Sequence, residues 1–122
     1  MNTGDKILNV IQLFRSGPAV WTVEEAAAKL GQPISTVYRY FNSLNNAGML
    51  VSIASGQYIL GPAFIEIDRI IRENDPLLSF SKPIMAKLKK EIGDKVTLLL
   101  CRYYRDSVIC VHQEAANISK KE

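Results

Sequence analysis

The side chains best equipped for chemistry lie in one short stretch: Ser35, Thr36, Tyr38, Arg39 and Asn42. Together they offer two hydroxyls, a phenol, a guanidinium and a carboxamide. These groups bind phosphate oxygens or read base edges. The Arg39 fork suits the O6/N7 pair of guanine, and the Asn42 amide suits the N6/N7 pair of adenine. Ser35 and Thr36, at the start of a helix, would favour a phosphate, and also suit capping. Farther along, Ser55 and Gln57 flank Gly56 at a candidate turn and form a second polar group of this kind. A different constellation is Cys101, Cys110 and His112. If the intervening turn centres on Arg105-Asp106, the two cysteines become cross-strand neighbours, and His112 shares the face of Cys110. Three soft ligands there could hold zinc or form a redox pair. The spacing matches no common zinc motif, however, and reduced cysteines acting as small hydrophobes are the simpler reading. No Ser-His-Asp set, paired carboxylates or phosphate-cradling glycine loop supports an enzyme, and no cofactor is expected.

The polar stretch needs elements to aim it, and the pattern supplies them. Residues 5–15 carry Ile7, Leu8, Ile11 and Phe14 at helical spacing, a helix with one buried stripe. Ser16-Gly17-Pro18 ends it. Thr22 stands three residues before Glu25, the spacing of a capping box, and Ala26, Ala27 and Ala28 leave room for close packing. Gly31 suits the left-handed closure of this second helix, and Pro33 suits the start of the third. On that third helix Val37, Tyr40 or Phe41, Leu44 and Ala47 or Gly48 should face the core, with the polar stretch outward. Two short helices joined by a tight turn, the second bearing the polar face, describe a helix-turn-helix. Trp21, just before the cap, reads as a packing staple.

Residues 50–60 hold two β-prone runs around Ser55-Gly56, a hairpin placed where a winged helix has its wing. Residues 62–74 form a strongly amphipathic helix: Phe64, Ile67, Ile70 and Ile71 make a stripe that suits a symmetric dimer. Asp75-Pro76 breaks the chain. A further helix over residues 77–92 is interrupted or restarted at Lys82-Pro83. Strands follow at residues 95–104 and 107–113, with frayed polar residues at 117–122.

Composition bounds this reading. With 122 residues, 48% of them hydrophobic and 22% charged, the chain is an ordinary globular one. It has no apolar run of the ~20 residues that span a bilayer and no signal sequence, so a cytoplasmic, nucleoid-associated protein without a membrane partner is expected. The net charge is only +3, and residues 1–61 carry four basic against three acidic side chains. Phosphate neutralisation supplies much of the affinity for duplex DNA. Tight binding should therefore require two copies on matched half-sites.

The order of these features resembles the IclR family of bacterial transcriptional regulators. The resemblance covers residues from about 4 to 115, and its most specific parts are Ser35-Thr36-Val37-x-Arg39 and Tyr58-x-Leu60-Gly61-Pro62. It implies an α+β, mainly α chain: a winged helix-turn-helix over residues 1–61, a linker and dimerisation helix over 62–75, and over 76–122 the first helix and β-hairpin of a GAF-like effector domain. It implies a homodimer that regulates transcription on a palindromic operator in double-stranded DNA. Two departures stand out. The chain stops after the first effector-domain hairpin, which leaves most of a small-molecule effector pocket absent. The wing has Gln57 and Ile59 where the family often has cations. The rival reading is a shortened regulator that associates with full-length relatives and binds DNA weakly itself.

Overall fold

The computed structural model describes residues 1–117. The expected fraying of residues 117–122 falls, beyond Asn117, outside them. Two compact units divide at Arg69/Ile70.

The first unit is built on three helices. Helix α1, Thr3–Ser16, starts at a capping box that the sequence reading did not anticipate: Asn2 Oδ1 accepts from the Asp5 amide at 2.8 Å, and the Asp5 carboxylate accepts from the Asn2 amide. Its buried residues are Val10, Leu13 and Phe14, with Ile7 and Ile11 packed beside them, while Leu8 points to solvent. The expected stripe was therefore rotated from the real one. Helix α1 packs on α2, Val23–Leu30, α3, Ile34–Asn46, and β3, Gln57–Leu60, and Val10, Leu13 and Phe14 are the residues it buries in their common core.

Strand β1, Trp21–Thr22, leads directly into helix α2, Val23–Leu30. The expected capping box is present: Thr22 Oγ1 accepts from the Glu25 amide at 3.1 Å, and Glu25 Oε1 accepts from the Thr22 amide at 2.9 Å. Gly31 closes α2 at φ 65°, where the Gln32 amide reaches back to the Ala27 carbonyl. Helix α3, Ile34–Asn46, follows with Pro33 as N-cap. Val37, Tyr40, Phe41 and Leu44 are all buried, so the choice between Tyr40 and Phe41 resolves to both. Of the alternatives Ala47 and Gly48, Ala47 is exposed and Gly48 half-buried, because α3 has ended at Asn46.

Strands β2, Leu50–Ser52, and β3, Gln57–Leu60, form the wing. Ser55 and Gly56 both have positive φ, as the tight hairpin turn requires. β1 adds a third strand through Trp21↔Tyr58 and Thr22↔Gln57, giving the order β1-β3-β2. One core joins all of these elements. Phe41, fully buried, meets the Tyr58 ring edge-on at 5.0 Å and the Phe14 ring at 6.3 Å. Trp21 is the expected packing residue: it meets Phe14 edge-on and donates its indole N–H to the Pro18 carbonyl.

Helix α4, Ala63–Asn74, leaves the wing through a close approach. The Gly61 amide donates to the Met49 carbonyl and the Ala63 amide to the Gly48 carbonyl. A Cβ at residue 61 would overlap that same Gly48 carbonyl, so only glycine fits.

The second unit holds the end of α4, helix α5, Pro76–Ile92, and a hairpin of β4, Leu98–Tyr104, and β5, Ser107–Glu114. Asp75 caps α5 through the Leu77 amide, with Pro76 in the first turn. The expected break at Lys82-Pro83 does not occur; α5 runs through Pro83 as one helix. Arg102 donates to both Asp75 oxygens, at 2.6 and 2.8 Å, and this bond holds the carboxyl below its ordinary range. The β4–β5 ladder turns at Arg105-Asp106, as expected, and contains a bulge that sets Cys101 against Cys110 but Leu100 against His112. Mainly helical with two small sheets, the architecture is the expected winged helix, linker helix and helix-plus-hairpin.

Candidate nucleic-acid interface

The α2–turn–α3 pair gives α3 one face to the core and the other to solvent. On the outer face Ile34, Tyr38 and Asn42 form a row at four-residue intervals, with Ser35 and Arg39 in the adjoining row. All five are exposed. Thr36, expected with them, is half-buried toward the far side of the helix. Arg39 makes no hydrogen bond or ion pair among the described residues, so its five donors are available to a ligand. Pro33 provides no side-chain cap at the N-terminus of α3. The Ile34 and Ser35 amides there are open to an anion, while the Thr36 amide donates to the Pro33 carbonyl.

Ile34 is the residue that the sequence reading missed. It is 55% exposed at the first position of α3, beside Tyr38 at 53%. Ile34 stands three residues before Val37 and seven before Phe41, on the line of the core stripe, so helical spacing gave no signal of its exposure. Ser55 and Gln57 are exposed at the wing tip, as placed from sequence. Thr22 pairs with Gln57, so the wing tip is laddered to the residue that caps α2.

Residues 4–53, covering α1 through β2, match the IclR helix-turn-helix domain. This part of the chain is an IclR-type helix-turn-helix domain. A curated relative, the HTH-type transcriptional regulator KipR of Bacillus subtilis (strain 168), is 30% identical over 95 residues. That alignment spans 78% of this chain and 38% of KipR. The fold is that of solved IclR structures. The IclR of Thermotoga maritima superimposes with a TM-score of 0.74 at 18% identity, over 98% of this chain and 47% of that one. An IclR family transcriptional regulator from Brucella abortus gives 0.73 at 23% identity, over 92% and 42%. The chain thus spans less than half the length of these relatives. Its IclR kinship is with regulators of transcription rather than enzymes.

The other predicted groups are placed as follows. Along α4, Phe64 is half-buried while Ile67, Ile70 and Ile71 are exposed, as is Ile65 at 73%. α4 contains no buried residue at all. Cys101 and Cys110 do face each other, but His112 Nε2 lies 2.6 Å from the Glu114 carboxylate, which occupies that ring nitrogen. Among the described residues no helix is long and apolar enough to cross a membrane.

Proposed function

We propose that the chain is a sequence-specific DNA-binding regulator of transcription that acts as a homodimer on an inverted-repeat operator in the cytoplasm. The observation that carries this reading is the outer face of α3: Arg39, without a hydrogen-bond or ion-pair partner among the described residues, flanked by Ser35, Tyr38 and Asn42 on a helix held by its buried inner face. An α-helix about 10–12 Å across fits the ~12 Å major groove. Arg39 would read guanine and Asn42 adenine. Ser35, Thr36 and the open amides of α3 would hold phosphate, and Ser55 and Gln57 would reach the backbone from the wing. Ile34 adds an apolar group for a thymine methyl. The stripe Phe64, Ile67, Ile70 and Ile71 would join two copies and so pair two α3 helices.

Selection of bound duplexes from a random library by the purified chain tests this reading. An inverted repeat should be enriched, with affinity falling steeply as salt is raised. On that repeat Arg39→Ala should weaken binding by about 1–3 kcal/mol and relax preference at one base pair per half-site. Failure to enrich any sequence, with no retardation of duplex at low salt, overturns it. Retention only through mixed dimers with a longer relative would favour the protein-association reading instead.

A further inference from the structure

The chain contains two cysteines, and the β4–β5 ladder sets them opposite each other. The turn between these strands is two residues long, so Tyr104 and Ser107 close it as a hydrogen-bonded pair. Antiparallel ladders alternate. Counting back through Tyr103–Val108 and Arg102–Ile109, Cys101–Cys110 is a non-hydrogen-bonded pair. Cα atoms at such positions stand about 4.5 Å apart, where facing side chains are closest. That spacing lies inside the roughly 4.4–6.8 Å that a disulfide bridges. Desolvation, and after it the facing Cys110 thiol, pushes the Cys101 thiol up, as expected if the two sulfurs lie within each other's field. Both residues are exposed to solutes.

We propose that Cys101 and Cys110 form a reversible redox dithiol that a low-molecular-weight disulfide closes into a cross-strand bridge. The Cys110 thiolate attacks one sulfur of the small disulfide and expels a small thiolate, leaving a mixed disulfide on Cys110. Cys101, whose raised thiol is the slower to ionise, then gives up its proton and attacks the Cys110 sulfur. The mixed disulfide breaks and a second small thiolate leaves. The two protons lost by the cysteines end on the two released thiols. The protein is oxidised by two electrons and the small disulfide reduced by two. An exposed bridge of this kind is labile to reducing thiols, so the reaction runs both ways. Closure would tie down the bulge beside Cys110, where the Val111 carbonyl accepts from Arg72 Nη1 at 2.5 Å. The redox state would therefore be felt at the C-terminal half of α4, which belongs to the same unit.

The test equilibrates the reduced 122-residue chain with glutathione and glutathione disulfide at a series of ratios. Free thiols are then trapped by alkylation and the intact mass is read. The expected product is an unalkylated monomer lacking two hydrogens, its fraction rising from near zero to near one independently of protein concentration. It should revert fully on adding reductant. Cys101→Ser should stop at a glutathione adduct on Cys110, with the circular dichroism spectrum unchanged. Two separate glutathione adducts on the natural chain, disulfide-linked dimers, or thiols that stay free across the series would each overturn the proposal.

Discussion

Ile70 offers the sharpest test of how two copies would meet. Its side chain is 48% exposed on the single chain, in a helix that buries no residue of its own. Burying a whole isoleucine is worth about 1.5–3 kcal/mol, so covering the exposed half is worth about 0.7–1.5 kcal/mol. A two-fold interface counts each substitution twice. Ile70→Ala should therefore weaken the dimer by about 1.5–3 kcal/mol, a roughly 10- to 100-fold rise in dissociation constant. Stability of the isolated chain should change little, within about 0.5 kcal/mol, since the position is half in solvent already. Sedimentation equilibrium over a wide concentration range separates the two effects, with urea unfolding as the control. Equal dimer constants for both proteins would refute the assignment of the stripe. A natural chain that stays monomeric at high concentration would refute it more broadly. Loss of folding in the variant would contradict the exposure on which the estimate rests.

Other expectations concern the reading head and the second unit. Replacing the contacted thymine of the selected site by uracil removes one methyl group, about 0.8 kcal/mol or roughly fourfold in affinity; Ile34→Ala should bind both duplexes alike in a fluorescence titration. Thr22→Ala removes the cap of α2 and should cost about 1 kcal/mol in urea unfolding. The Arg102 bond holds the Asp75 carboxyl below its ordinary range, so the pair contributes stability above the unfolded carboxyl value, about 3.9. That contribution disappears as pH falls through the lower folded value. Asp75→Asn keeps an N-cap of similar quality but not the charge, so its melting profile between pH 6 and pH 3 should be flatter than that of the natural chain.

Local chemistry was the legible part of this chain. Thr22 with Glu25, Gly31, and Ser55-Gly56 each determine their own backbone within a few residues, and each stands where spacing placed it. What escaped depends on distant partners. The i, i+3, i+4 rule tolerates neighbouring phases, and which one α1 uses is decided by elements that touch it from elsewhere; Leu8 lost its place to Val10 and Leu13. β1 is two residues long, too short for any alternation, and exists because β3 offers it an edge. Pro83 forfeits one helical hydrogen bond, yet flanking turns carry α5 through it. The polar face of α3 was readable by exclusion from the core stripe. Ile34 was not, because an apolar residue at a helix start is more often a core member than a contact.

The clasp at Gly48 and Gly61 has a consequence for which DNA sites two joined copies can accept. It fixes the direction in which α4 departs from the winged helix, using backbone groups alone. In a dimer joined along α4, that departure angle determines the distance between the two reading helices, and hence the number of base pairs between half-sites. Residues far from any base would then act as a ruler. Gly61→Ala, which must push the Gly48 carbonyl away, should leave each half-site's preferred letters intact and alter the spacer length that the pair tolerates.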